Sequence, residues 1–205
     1  NVVVAVMDDW IDYTHPDLAP NMWVNEIEAN GQPGVDDDGN GYVDDIHGLN
    51  LSGSDEFADH GTHVAGTIAA VNNNGIGVCG IAGGDGAYTG VRVMSIGLYT
   101  DGSNMLDYEN ARGFVYAADN GAVISSNSWR TGEQTPSFFS EAIAYFMENA
   151  GQYEQSPMKG GLVVFAACND NKATPNYPFG DPELLKENLI VVASVAGTGM
   201  RSTFS

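Results

Sequence analysis

The chain opens with "NVVVAVMDD" (residues 1–9), five aliphatic residues and a methionine that stop at two carboxylates. A run apolar at every position, not at every second one, fits a strand covered on both faces, as in a parallel sheet. Four further β-rich runs follow, so the candidate strands are residues 2–7, 91–96, 123–126, 162–166 and 189–193. Helical patterns fall between them, at residues 60–71, 105–120 and 137–149. This alternation predicts βαβ units and an α/β fold. In open α/β sheets, ligands gather beyond the carboxyl ends of the strands. That rule singles out Asp8 and Asp9, residues 102–104, residues 128–130 and residues 169–171.

A chain of 205 residues fits one domain with a sizeable core. Its 27 acidic against 7 basic residues give a net charge of −20. Such a surface repels phosphates, so no nucleic-acid partner is expected. The same self-repulsion would be relieved by bound divalent cations. No apolar run is long enough to span a bilayer, so no membrane insertion is expected. The first residues have neither a basic leader nor a cleavage site and read as a strand, not a signal peptide. A start without Met suggests a trimmed or partial chain. Cys79 and Cys168 lack metal-ligand spacing and are read as free, buried thiols.

"DHGTHVAGT" (residues 59–67) places His60 at the start of the first long helix. Asp8 follows the first strand. A carboxylate can hold an imidazole in one tautomer and stabilise the imidazolium formed during proton transfer. Asn169 follows the strand run at 162–166, where a side-chain amide can donate to a developing oxyanion. The same three residues also fit a bland role as caps and strand-end polar groups. Spacing by itself does not separate the two.

Four segments carry a family resemblance. "VAVMDDWIDYTHPDL" (4–18) resembles the catalytic-Asp segment of the subtilisin-like serine peptidases, and "DHGTHVAGTIAAVNNNGIGVCGIA" (59–82) their catalytic-His helix and following loop. "VISSNSW" (123–129) resembles their substrate-binding strand, and "LVVFAACND" (162–170) the segment of their oxyanion asparagine. The four occur in family order over nearly the whole chain. The resemblance implies Asp8 as orienting acid, His60 as general base and Asn169 as oxyanion donor. It gives His63 a structural role. For the substrate it implies an extended peptide added as a strand, bordered by Gly102, Ser103 and Asn104 on one side and Ser128, Trp129 and Arg130 on the other. Asp170 and Asn176 would border the pocket for the residue before the cleaved bond.

The family's nucleophile lies in a Gly-Thr-Ser segment opening a later helix. "RSTFS" (201–205) resembles the strand before that segment, so these residues by themselves are expected to be inactive. "SPMK" (156–159) formally matches S-x-x-K but lies among Pro and Gly and reads as a loop. Three positions depart from the family's glycines: Trp10, Arg130 and Cys168. Glycine allows close backbone approach and positive φ, so bulk there is expected to distort the Asp8 turn, crowd the specificity pocket and misaim Asn169. Asp9 stands where the family has Ser or Thr, setting two carboxylates side by side.

Calcium has two candidate sites. "DDDGNGYVDD" (36–45) supplies Asp36, Asp38, Asn40, the Tyr42 carbonyl and Asp44 at EF-hand-like spacing, although His47 replaces the closing Glu. The second follows from the resemblance: Asp17, Asn73 and the carbonyls of Val71, Ile76 and Val78. "GIGVCG" (75–80) matches a dinucleotide fingerprint, but a helix pattern precedes it where a strand is required.

The expectation is a three-layer subtilisin-like α/β fold with a largely parallel sheet, incomplete at both ends, forming one partial catalytic domain over residues 1–205. The implied activity is that of a secreted or cell-surface serine endopeptidase acting on peptide or protein substrates. The alternative is an inactive, calcium-stabilised peptide-binding domain.

Overall fold

A computed structural model describes residues 2–85, 90–99, 107–130, 136–171 and 188–205. Six strands form one sheet: β1 (Val3–Asp9), β2 (Gly48–Asn50), β3 (Arg92–Tyr99), β4 (Ile124–Asn127), β5 (Leu162–Ala166) and β6 (Leu189–Val192). Their order is β2-β3-β1-β4-β5-β6, and every neighbouring pair is parallel. The helices are α1 (Glu26–Ala29), α2 (Asp59–Ala69), α3 (Asp107–Asp119) and α4 (Ser137–Asn149).

The continuous apolar run of β1 serves two cores. Successive side chains of a strand point to opposite faces. Val3, Ala5 and Met7 accordingly join one cluster with Ile96, Phe114, Phe139 and Phe146, beneath α3 and α4. Val4 and Val6 join a second with Ile11, Leu18, Ala65 and Ala69, beneath α2. These are the three layers expected. Phe114 sits edge-on to both Phe139 and Phe146, the favoured geometry for aromatic pairs. Gly113 lets α3 settle on the sheet, because a Cβ there would lie 2.8 Å from Met7 and 2.9 Å from Ile96.

Strand β5 and helix α4 run over the residues expected. β1 extends two residues further, through Asp9, and β3 three further, to Tyr99. β2 and the short α1 carry no apolar run and were not anticipated. On the α2 side of β6, Ile190 and Val192 remain exposed. Cys79 and Cys168 are free thiols as expected, but neither is buried: Cys168 is half-buried and Cys79 is exposed, because its loop passes outside both cores.

Candidate active site

The carboxyl ends of the parallel strands face one edge, and the candidate catalytic groups collect there. Asp8 is fully buried at the end of β1. Its Oδ1 accepts from His60 Nδ1 at 2.7 Å, the Tyr99 hydroxyl at 2.9 Å and the Asp9 amide at 2.9 Å. A carboxylate oxygen accepts, so Nδ1 carries the imidazole proton and Nε2 is left as the base. The His60 side chain is 56% exposed, which leaves Nε2 accessible.

The hydrogen bond to Asp8 raises the His60 pKa; burial opposes this, and the charges of Asp8 and Asp9 add to it. Burial, then Asp8, pushes the Tyr99 hydroxyl well above its ordinary range, so it remains a donor. Asp9 is also raised, chiefly by burial and against the hydrogen bond it accepts from Gly61. Trp10 does not separate Asp8 from His60. Its ring lies against Gly97, meets Tyr13 edge-on, and its carbonyl accepts from the Ala58 amide just before α2.

Asn169 is exposed three residues beyond β5, at the same edge of the sheet. Cys168, before it, adopts φ +66°, as does Asn171 after it at +52°. The backbone thus keeps a left-handed turn at the family's glycine position and holds a side chain in it. Arg130 and Asp170 meet at 3.3 Å on the surface. Ser128 is half-buried. Trp129 differs from the others: its side chain is core, tilted against Phe139 and edge-on to Phe165, with its indole N–H donating to the Met7 carbonyl. Only its backbone is left to meet a substrate. Gly102, Ser103, Asn104 and Asn176 lie outside the described residues.

"SPMK" forms no catalytic pair. Ser156 Oγ donates to the Met158 carbonyl, while Lys159 Nζ donates to the carbonyls of Gly151 and Tyr153.

The acidic loop gathers a set of oxygens that differs from the spacing-based one. Carboxylate oxygens of Glu28, Asp38 and Asp45 lie within 4.8 Å of one another. The Nδ2 groups of Asn25 and Asn40 each bridge Asp38 and Asp45, putting partial positive charge between them. Asp36 instead receives the amides of Gly39, Asn40 and Gly41, and Asp44 receives that of Gly34. Asp45 was visible as the next acid in the run, whereas Glu28 comes from α1 and left no signal. Oxygen-only donors suit a hard cation such as Ca²⁺.

At the second candidate site, Asp17 is buried and accepts from Asn74 Nδ2 at 2.7 Å and the Val78 amide at 2.9 Å. The neighbouring Asn73 takes the left-handed position, φ +65°, so Asn74 is the residue that reaches Asp17. The Asp17 carbonyl accepts from the Val71 amide, and the Ile76 amide is held by Asn74.

The subtilase family profile (peptidase S8) matches residues 1–205. Subtilisin-like protease 1 of Plasmodium vivax is 52% identical over 84 residues, 39% of this chain and 13% of that protein. Thermitase of Thermoactinomyces vulgaris is 32% identical over 207 residues, 98% of this chain and 58% of that protein. The crystal structure of fervidolysin from Fervidobacterium pennivorans superimposes with a TM-score of 0.57 at 26% identity, covering 94% of this chain and 24% of that one. This chain therefore spans between 13% and 58% of the length of these relatives. With that match along its whole length, and with Asp8 and His60 paired at the sheet edge, the chain belongs to the subtilase family of serine proteases.

Proposed function

We propose that this chain carries the acid–base half of a Ser-His-Asp triad in a serine endopeptidase that cleaves peptide bonds by acyl transfer. One observation carries the reading: buried Asp8 holds His60 Nδ1 at 2.7 Å while the Nε2 side of the ring stays open. His60 takes the proton of an attacking serine hydroxyl and returns it to the leaving amine, and Asp8 stabilises the imidazolium between the two events. Among the described residues no serine hydroxyl hydrogen-bonds to His60. The reading requires a serine delivered to Nε2 by a segment that is not among the described residues, and without one these residues turn over no peptide. An open trough of about 330 Å³ beside α2, lined by His63, Thr67, Ile68, Val164 and Val192, has room for such a segment.

Asn169 donates to the oxyanion. Gly102, Ser103 and Asn104 pair with one side of an extended peptide or protein substrate, and the backbone at Ser128, Trp129 and Arg130 with the other. Asp170, tied to Arg130, and Asn176 border the specificity pocket. Ca²⁺ binds Glu28, Asp38 and Asp45 and stabilises the fold; Asp17 and its loop form a second site. The reading places the protein outside the cell or at its surface.

A second reading, an inactive peptide-binding domain, is favoured by Cys168, whose side chain occupies a left-handed turn next to the oxyanion donor. A serine-directed covalent probe on the full protein separates the two. Labelling and peptide turnover, both abolished by His60→Ala, support the peptidase; peptide binding without either supports the binder.

A further inference from the structure

Helix α2 has no cap of its own. Its N-cap residue is Ala58, which offers no side-chain acceptor to the first amides of the helix. Such amides need partners, above all beside a buried strand. Asp9 supplies one from another element. Its Oδ1 accepts from the Gly61 amide at 2.5 Å, and the His60 amide also bears on that carboxylate. His60 and Gly61 are the second and third residues of α2, the positions that an ordinary capping side chain serves.

Two features of the backbone make this possible. In a regular strand, consecutive side chains point to opposite faces. The pairing of β1 with β3 shifts between Asp8 and Asp9, an irregularity that re-aims side chains. Both carboxylates therefore reach the start of α2, Asp8 at the ring and Asp9 at the backbone. Gly61 allows the approach, since a Cβ there would lie 2.6 Å from both the carbonyl and the Oδ1 of Asp9. Asp9 is only 5% exposed, so it is not a surface acid awaiting solvent.

We propose that Asp9 is a positioning residue: as the remote cap of α2 it fixes the start of that helix and so holds His60 against Asp8. The proposal deepens the peptidase reading and rests on it for its catalytic consequence. A hydroxyl at this position could also cap, but a carboxylate adds charge near the imidazole and favours its protonated form. Among the described residues, the charges that bear on His60 are those of Asp8 and Asp9 on β1, with Tyr99 of β3 bonded to Asp8.

Two variants of the full protein test this. Asp9→Ala removes the acceptor, and Asp9→Asn keeps an oxygen acceptor without the charge. Hydrogen exchange at the Gly61 amide and the NMR titration of His60 are read alongside kcat and KM. Asp9→Ala is expected to speed Gly61 exchange roughly fivefold, the loss of an ordinary cap, and to lower kcat with KM little changed. Asp9→Asn should restore the protection and most of kcat, yet move the His60 titration to lower pH. Unchanged Gly61 exchange in Asp9→Ala overturns the proposal. Should that variant not fold, a Gly61 amide that exchanges in the unaltered protein as fast as an exposed one overturns it equally. If Gly61 protection depends on Asp9 but no peptide is cleaved, the cap stands and the peptidase reading falls.

Discussion

Asp8 and His60 lie 52 residues apart in sequence and 2.7 Å apart in space, joined through Oδ1 and Nδ1. The strand end supplies a buried carboxylate and the helix start supplies a half-exposed ring. A buried acceptor fixes the tautomer, and an exposed Nε2 is free to act as a base.

On the peptidase reading, the pH dependence of cleavage follows from that pair. Only neutral imidazole accepts a proton, so kcat/KM of the full protein should rise with pH through the His60 pKa, which lies above its ordinary 6.5. Asp8→Asn removes the main cause of the shift, so the rising limb should move to lower pH while the rate falls on the order of 10⁴-fold. The sign for stability is opposite. A raised histidine contributes stability that is full below about pH 6.5 and is lost as pH rises through the folded value. A rate profile unmoved by Asp8→Asn would show that His60 is not the titrating base.

Asp9 carries a different linkage. Its folded pKa is raised above 3.8, mainly by burial. Its contribution to stability is full below about pH 3.8 and is lost as pH rises through the folded value, so the ionised form is a cost at neutral pH. Asp9→Asn removes that cost and keeps an acceptor for Gly61. The variant should melt no lower than the unaltered protein at pH 7, with any gain shrinking at pH 4. Calorimetry at the two pH values decides; a loss confined to pH 7 contradicts the argument.

Cys168 offers a test of strain. A non-glycine residue at φ +66° costs on the order of 1 kcal/mol or more. Cys168→Gly removes that cost, less the extra entropy glycine brings to the unfolded chain. A net gain of about 1 kcal/mol would raise the melting temperature by roughly 2–4 °C in a domain of this size. An equal or lower melting temperature would mean that the thiol packing outweighs the backbone strain.

How much of this was legible in the sequence depends on where each signal lies. β5 and α4 were readable because their apolar patterns are local and continuous. The last two residues of β1 were not, because a pattern of hydrophobicity stops at the first carboxylate, and Asp8 and Asp9 are buried only through partners on α2 and β3. Trp129 was read with the substrate strand, yet its ring completes the aromatic core under α4. The capping role of Asp9 depends on a strand irregularity and on the close approach of Gly61, neither of which is written in residue spacing. Motif order over the chain located Asp8 and His60; long-range packing decided which neighbours serve them.

The acidic loop provides the remaining prediction. Glu28 and Asp45 are each 4% exposed, and with Asp38 they gather three carboxylates within 4.8 Å. Among the described residues their hydrogen-bond donors are neutral groups: backbone amides of residues 37, 38, 40 and 44, the amide side chains of Asn25 and Asn40, and the Tyr116 hydroxyl at 2.5 Å from Asp45. Neutral dipoles only partly offset the repulsion among buried carboxylates. A divalent cation that binds the folded state alone stabilises it by about 2.7 kcal/mol at a hundred times its Kd. The melting temperature of the full protein should therefore rise with Ca²⁺ and fall with chelator. Mg²⁺ should substitute poorly, since it demands a tighter octahedron. Asp38→Ala and Glu28→Gln should each blunt the response, whereas Asp36→Asn should spare most of it, because Asp36 is occupied with the amides of its own turn. A Ca²⁺ response lost with Asp36→Asn but kept in Glu28→Gln would assign the ion to the spacing-based ligands instead. No response to chelator in any variant would leave the loop as a hydrogen-bonded acidic turn without a metal.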